Sequence, residues 1–594
     1  MTNQPSNHHP DHHIRGIRGV WKRRTESVGS DASNLTDRVL SVRGIGDVAA
    51  ASRFLDPQLN HLHDPSMLPG LDAAAERMLE AIQNRERIAI YGDYDVDGIS
   101  ATAILYHMLH AVGAHVGRNI DVECYVPHRL EEGYGLNSEA MEELASRRVR
   151  LVVSVDCGVT AFEPALRAKQ LGMDLVITDH HNLPESSLGL PHAVSVVHPR
   201  LPGSTYPFGE LCGAGVAYKL AWRLATLACG VPKVAPAIRS VLLDVLSFAA
   251  LGAVADVVPL LDENRVIVRH GLTKLRHSAN EGVQALIEAS GLAGEKVEEF
   301  DIGFKLGPRL NACGRLGHAR EAVELFTTAT GERAASIARE LTALNEERRA
   351  VQDRIHREAL ELAEAKGMTG ADVRAIVLAH DDWHPGVVGI ACSKLVEKFH
   401  RPVILMGRSE GMCHGSGRSI DGFDLHEAIA SCAPLLGHFG GHAMAAGLHV
   451  SDNNLSAFTE RFCAFANQRI RKEDLCAKIR YDCEAKITEI NRASIEELER
   501  LAPFGRENPP VSIVIRDAVI AQRATMMGSS GKHIQLRIGS GGTSPSLRLV
   551  GWDWAEHIEQ LPKDRPIDVV LKPKISKWQG NVSVEAEIED IRPR

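Results

Sequence analysis

From Ile88 onward the chain alternates short apolar runs with helical stretches, and this alternation restricts the fold more than any other feature. The runs "RIAIYG", "VECYVP", "LVVSVDCG", "DLVITDHH" and "VSVVHP" are predicted to be buried strands, and "ISATAILYHMLHAVG" and "AFEPALRAKQLG" between them have helical spacing. Strands alternating with helices form a mostly parallel sheet covered on both faces, so the expected fold class is α/β. In such sheets the ligand crevice lies beyond the carboxyl ends of the strands. The polar clusters fall there.

At 594 residues the chain is too long for one hydrophobic core, and about three to four domains are expected. Between Gly331 and Gly367 there is no proline or glycine, and Ile337, Leu341, Leu344, Val351, Ile355 and Leu362 keep near-helical spacing. This predicts one helix roughly 50 Å long, a rigid spacer with solvent on most sides. Arg348 and Glu358 at seam positions disfavour a coiled coil. A second, smaller α/β unit is expected over Val373 to Val450, with the glycine-rich "GHFGGHAMAAG". After Ile479, the runs "SIVIRDAVIA", "HIQLRIG", "SLRLVGWDW", "PIDVVLKP" and "NVSVEAEIEDI" predict a small β-barrel or sandwich, most economically an OB-fold. The His-rich residues 1–36 are expected to be disordered.

Apolar residues make up 44% and charged residues 24%, as in soluble globular proteins. No uninterrupted apolar run approaches the roughly 20 residues of a membrane span, and the amino terminus lacks a secretory core, so a cytoplasmic protein without membrane attachment is expected. The 11 cysteines include no C-x-x-C pair, which favours reduced core thiols over disulfides or zinc. A net charge of −9 argues against a protein that simply coats nucleic acid. It leaves room for a local basic groove, because metal-binding carboxylates make the total more negative while a cation offsets them at the site.

The triplet DHH occurs twice. Asp11, His12 and His13 sit in the polar tail, where no strand fixes their geometry. Asp179, His180 and His181 end the run "DLVITDHH". Upstream, "YGDYDVDGIS" sets Asp93, Asp95 and Asp97 on alternate positions after a strand, and "LVVSVDCGVT" delivers Asp156 after another. Carboxylates this close repel one another unless a divalent cation intervenes, and oxygen ligands select hard ions such as Mg²⁺ or Mn²⁺. A calcium loop is disfavoured, because its downstream ligand position falls in an apolar helix. Each acid could also be a simple helix N-cap. Neighbouring parallel strands, however, lie about 4.8 Å apart, close enough for their carboxyl-end acids to share ions. Asp256, after the apolar run in "LGAVADVVPL", offers another ligand. Neither "CGAGVAY", with Tyr218 at the third glycine position, nor "GSSGKH" meets a nucleotide-binding signature.

Placed at a rim of acids, the second DHH resembles that of the DHH phosphoesterase superfamily and, within it, most fully the RecJ exonucleases. The resemblance covers roughly residues 37 to 594 and rests on "YGDYDVDGISATAIL", "YVPHRLEEGYGLN", "VSVDCGVTA", "ITDHHNLP", "LCGAGVAYKL", "GAVADVVPL", "GPRLNACGRLG", "WHPGVVGIACSKL", "GSGRSIDGFDL" and "GGHAMAAG" in the family's order. It implies a DHH catalytic domain over 37–325, a connecting helix over 326–370, a DHHA1-like substrate-binding domain over 371–470 and an OB-like domain over 471–594. It further implies a single-stranded-DNA-specific 5′–3′ exonuclease of recombination and repair, working with single-strand-binding protein and a helicase. Asp95 and Asp156, helped by Asp93, would hold one divalent cation, Mn²⁺ or Mg²⁺. Asp97, Asp156, His180 and Asp256 would hold the second, with Asp156 bridging.

On the same resemblance, Asp179 would orient an imidazole and His181 would face the scissile phosphate. Arg129, Arg309, Arg315, Ser416, Arg418, Gly440, Gly441 and His442 would hold substrate. In the OB-like region Trp552, Trp554, Lys572, Lys574, Lys577 and Trp578 are candidates for strand contacts. The DHH and DHHA1-like domains are expected to form a groove admitting one strand. Two rival readings are a smaller-substrate phosphoesterase of the superfamily, acting on oligoribonucleotides or nucleotide bisphosphates, and a catalytically silent replisome-type binder. The first fits poorly with the "EGYGLN" segment and the carboxyl-terminal barrel, the second with the complete ligand set.

Overall fold

The computed structural model describes residues 14–25 and 34–594, apart from 130, 232, 541–545, 563–564 and 579–580. Asp11, His12 and His13 lie outside the described residues, as do the side chains of Lys577 and Trp578. The chain divides into two units, Asp56–Ala350 with Pro503–Pro509, and Met1–Leu55 with Val351–Ala502 and Pro510–Arg594.

In the first unit, five parallel strands lie in the order Asp121–Tyr125, Arg87–Gly92, Leu151–Val155, Asp174–Thr178 and Ser195–Val197. These are the five runs read as strands. Alternate side chains feed two cores: Ile88 and Ile90 pack with Val153 and Val176, whereas Ala89 and Tyr91 pack with Val152 and Ile177 on the other face. Burial on both faces is why these runs read as continuously apolar. Residues 236–255 have a mean hydropathy of 1.8 and the length of a membrane span, yet they are 61% buried. They form two helices, Pro236–Asp244 and Leu246–Ala255, whose Leu242, Leu246, Phe248 and Leu251 belong to the protein core. Helices buried on every side are apolar on every side.

The predicted long helix runs over Gly331–Ala365, 35 residues. At 1.5 Å per residue it is about 52 Å long. Arg348, read from the sequence as a seam position that disfavours a coiled coil, does lie on an inward face. It is buried, with its Nη2 donating to Asn345 Oδ1 at 2.8 Å.

In the second unit, a mixed five-stranded sheet has the order Leu436–Gly441, Ala445–Ser451, Met412–Arg418, Val403–Ser409 and Ile376–His380, with only the last pair parallel. The carboxyl-terminal strands pair in the sequence Ile513–Met527, His533–Gly539, Leu547–Gly551, Asn581–Pro593 and Ile567–Trp578, and the last pairs back to the first, in keeping with an OB-like fold.

The expectation of a disordered amino terminus needs correction. Ile14–Arg15 and Gly19–Arg23 are strands, and the latter pairs in parallel with Ala477–Tyr481. Trp21 is buried, and its Nε1 donates to Asp590 Oδ2 at 2.7 Å. Asp590 also accepts from the amides of Arg18 at 2.9 Å and Gly19 at 3.1 Å. The segment is too short and polar to signal a strand alone: beyond its neighbour Ile14–Arg15, the partners that hold it, Ala477–Tyr481 and Asp590, lie more than 450 residues away in sequence.

Candidate metal centre

Asp93 follows the Arg87–Gly92 strand directly and is buried. Asp95 caps the helix Val96–His115, one oxygen accepting from the amides of Asp97 at 2.9 Å and Gly98 at 3.1 Å. Thus the N-cap reading holds for Asp95 without consuming its second oxygen. Asp97 receives the Gly213 amide at 2.6 Å and the Ala214 amide at 2.9 Å, both at the start of the helix Gly213–Cys229, where peptide dipoles favour an anion. Two glycines make room: a Cβ on Gly213 would lie 2.4 Å from Asp156 Oδ1, and one on Gly252 would lie 2.2 Å from Asp97 Oδ1.

Asp156 adopts φ 61°, the left-handed region, and its amide donates to Thr178 O at 3.0 Å across to the next strand. His180 Nε2 stands 3.2 Å from Asp156 Oδ1, 3.6 Å from Asp256 Oδ2 and 3.8 Å from Asp97 Oδ2. The apolar run before Asp256 is a helix, Leu246–Ala255, of which Asp256 is the C-cap. Three groups bring their ligand atoms within 4.8 Å of one another: Asp93 with Asp95 and Asp156, Asp97 with His180 and Asp256, and Asp156 with His180 and His181. Asp93 Oδ1, Asp156 Oδ1 and His180 Nε2 are buried without a hydrogen-bond partner. Buried polar atoms are rarely left so. A divalent cation bound by carboxylate oxygen and imidazole nitrogen fits this vacancy in their bonding.

The electrostatics agree. Burial, then the charges of Asp97, Asp95, Asp93 and Asp256, pushes Asp156 well above the ordinary carboxylate range. Burial and then Asp95 push Asp97 up to about 6, and burial, Asp97 and Asp95 push Asp256 up to about 8. Burial and the charge of His181 bring His180 down to about 3, keeping it neutral as a ligand must be. Asp179 behaves differently. Burial would raise it, but hydrogen bonding and charge from His181 and the Val159 amide hold it at about 2. Its Oδ1 accepts from His181 Nδ1 at 2.8 Å and its Oδ2 from the Val159 amide at 2.9 Å. Burial opposes protonation of His181, but Asp179 outweighs it and raises the imidazole to about 9.

Reading the sequence alone misses Tyr134 and Asn311. The Tyr134 hydroxyl lies 3.1 Å from His181 Nδ1 and donates to Asp156 O at 3.2 Å. Asn311 Oδ1 accepts from the Val96 amide at 3.2 Å, tying the helix Gly307–Leu316 to the D-x-D-x-D turn. Both stand in motifs that carry the resemblance, "EGYGLN" and "GPRLNACGRLG", but an uncharged side chain gives no electrostatic signal by which sequence alone could single it out. Arg129 lies over the Tyr94 ring at 4.9 Å. Arg309 and Arg315 share the helix Gly307–Leu316, and Arg309 donates to Lys305 O at 2.7 Å and to Thr342 Oγ1 at 3.2 Å.

In the second unit, Ser416 and Arg418 alternate on one strand and so share a face. A Cβ on Gly389, in the helix Pro385–Phe399, would lie 3.1 Å from both side chains. Ser416 pairs with Gly447, which pairs with Gly440, so strand register brings these positions side by side. Gly440 and Gly441 lie in a strand rather than a loop, and the His442 amide donates to Ala445 O at 2.8 Å in the hairpin turn. In the OB-like region Trp554 is fully buried beneath Arg18, 4.4 Å from its ring, and cannot stack on a base. Lys572 pairs with Glu589 at 2.8 Å and Lys574 with Glu587 at 2.7 Å. Trp552 remains exposed at 44%.

A parallel sheet whose strand ends deliver D-x-D-x-D, a lone aspartate and DHH to one rim defines a DHH-type metal-binding protein, and residues 87–249 match the DHH family, N-terminal domain. Residues 372–471 match the DHHA1 domain and residues 481–590 the RecJ OB domain. The chain belongs to the RecJ family. It is 36% identical to the single-stranded-DNA-specific exonuclease RecJ of Bacillus subtilis, over 94% of this chain and 67% of the relative, and 33% identical to that of Dickeya dadantii, over 94% and 96%. Its fold is similar to that of RecJ from Thermus thermophilus in complex with Mn²⁺, with a TM-score of 0.77, 29% identity and coverage of 94% of this chain and 75% of that one. The Mg²⁺ complex of the same protein aligns with a TM-score of 0.71, 29% identity and coverage of 94% and 74%.

Proposed function

We propose that this chain is a single-stranded-DNA-specific exonuclease, hydrolysing phosphodiester bonds in the 5′ to 3′ direction with two divalent cations, Mn²⁺ or Mg²⁺. The observation that carries this reading is the presence of Asp156 in two ligand groups, with Asp93 and Asp95 and with His180 and His181, together with the lack of a hydrogen-bond partner at the buried Asp93 Oδ1, Asp156 Oδ1 and His180 Nε2. Asp93, Asp95 and Asp156 would hold one ion, and Asp97, Asp156, His180 and Asp256 the other. Paired ions supply an activated water and stabilise charge during in-line displacement at phosphorus. The chain's own groups do the positioning. His181, held protonated by Asp179, offers a hydrogen-bond donor to the scissile phosphate, and Tyr134 restrains its ring. Arg129, Arg309 and Arg315 would bind phosphates, and Ser416, Arg418, Gly440, Gly441 and His442 would hold the strand. Family membership supports a role in DNA recombination and repair, which we read as cytoplasmic and carried out alongside single-strand-binding protein and a helicase.

The decisive assay compares release of mononucleotides from a long 5′-phosphorylated single strand with hydrolysis of a dinucleotide, each in Mn²⁺ and in EDTA. Cation-dependent preference for the long strand is expected. Preference for the dinucleotide would assign the chain to the smaller-substrate phosphoesterases, and degradation unaffected by EDTA would overturn the metal chemistry.

A further inference from the structure

Among the described residues, Phe300 and Phe304 are the two phenylalanines that stand exposed, at 59% and 62%. Their rings stack on each other with centroids 4.6 Å apart and planes 23° apart. Two phenylalanines left in water forgo the burial that the fold collects at Phe248, Phe326, Phe458 and Phe462. The backbone beneath them is also unusual. Ile302–Leu306 is a π-helical turn, closed by the Gly307 amide donating five residues back to Ile302 O. Such turns are rare and occur frequently at functional sites.

This turn borders the metal centre. A Cβ on Gly307 would lie 3.9 Å from that of Ala255, the residue before Asp256. Glu299 Oε1 accepts the Phe504 amide at 2.7 Å, fastening the same stretch to the segment whose Arg506 acts on the Asp256 charge. Arg309 is tied to the same turn by donating to Lys305 O at 2.7 Å, and it feels the charges of Arg349 and Glu346. Stacked aromatic rings on a segment that also carries arginine are the ingredients by which proteins hold single strands without reading sequence.

We infer that Phe300 and Phe304 form a base-stacking platform at the rim of the metal centre, on which a nucleobase of the single strand rests while Arg309 and Arg349 follow its phosphates. The inference rests on the proposed exonuclease reading, and its occupant is the strand itself rather than a partner protein.

The test uses the full chain with Phe300→Ala/Phe304→Ala, and Phe304→Trp as the conservative control, each checked for an unchanged thermal transition. KM in Mn²⁺ is measured on a 5′-phosphorylated oligothymidylate and on the same strand carrying abasic residues near its 5′ end. Stacking is worth roughly 1–3 kcal/mol per base, so the wild type should favour the natural strand about 5- to 150-fold. The double variant should lose that preference, with KM moving more than kcat, and Phe304→Trp should retain it. A double variant that still discriminates the two strands, or loses equally on both, overturns the platform. So does wild-type indifference to the bases, the result expected if the rings dock a protein. Fluorescence anisotropy in EDTA separates the two proposals: base-dependent binding that the double variant abolishes supports the platform even if no cleavage occurs, whereas cleavage without base dependence removes the platform alone.

Discussion

Lys219 and Glu263 are as deeply buried as Asp97 and Asp156, all at 0–1% exposure in the same unit, yet the two groups are finished differently. Lys219 forms an ion pair with Glu263 and donates to His63 O at 2.6 Å. Glu263 also accepts from the His63 amide at 2.9 Å and from the Tyr206 hydroxyl. Opposite charges meet and the bonding is complete. At the strand ends like charges meet instead, with buried oxygens and a nitrogen left open. A buried ion pair that satisfies itself supports the fold, whereas a buried set of acids that cannot satisfy itself is a receptor for cations.

The largest effect should come from breaking the second group. Asp156→Ala removes the carboxylate common to two ligand sets, and losing several kcal/mol of transition-state stabilisation lowers exonuclease turnover by roughly 1,000-fold or more. Metal content, measured on the same preparation after dialysis, should fall with it. Stability in chelator should hold or rise, because an uncompensated buried acid has been deleted. Retained metal with lost activity would remove Asp156 from its bridging role.

The same operation on the first group should have the opposite profile. Lys219→Met strands Glu263 without its counter-charge and should cost about 3–5 kcal/mol of stability, read as a lower urea midpoint. Turnover per folded molecule in Mn²⁺ should persist. A variant as stable as the wild type would erase the contrast between the two buried groups.

Cation and proton should compete at the acids. Asp97 is raised to about 6 and Asp256 to about 8 from an ordinary 3.8, and His181 to about 9 from 6.5. Above about pH 7.5, where His180, lowered to about 3, and the other histidines that folding lowers from 6.5 are largely neutral in both states, the folded chain binds more protons than the unfolded one. Stability in EDTA should fall as pH rises from about 7.5 to about 8.5, through the raised pKa of Asp256 and toward that of His181. Saturating Mn²⁺ should reverse the trend, adding about 2.7 kcal/mol at a hundredfold excess over its dissociation constant. Urea midpoints across that range, with and without Mn²⁺, check both signs, and a flat profile in EDTA would contradict the crowding of the acids.

Much of this was legible in the sequence because strand ends and motif order are local signals. The runs before Asp93, Asp156 and Asp179 each became a strand, and the acids converged as parallel pairing requires. The helix over Gly331–Ala365 was written in the absence of glycine and proline. What escaped depended on distant partners. Trp21 reads as part of a polar tail until Asp590 receives its indole. Trp554 reads as an exposed stacking residue until Arg18 covers it. Gly213 and Gly252 look like ordinary helical glycines, and only the three-dimensional arrangement reveals that any side chain there would strike Asp156 or Asp97.

Tyr134 gives the finest test, because it belongs to neither charge group and yet touches one of them. Its ring is 52% exposed, so the side chain is not held by core packing, and its hydroxyl reaches both His181 and the Asp156 carbonyl. Asp179 already holds the same His181 Nδ1 at 2.8 Å. Removing the hydroxyl should therefore loosen the imidazole without neutralising it. One hydrogen bond is worth about 0.5–1.5 kcal/mol, so Tyr134→Phe should lower kcat by roughly 2- to 12-fold while metal content and urea midpoint stay at wild-type values. A shift in metal content would mean that the tyrosine supports the ligand set through the Asp156 backbone, which holds the left-handed conformation on which the bridging carboxylate depends.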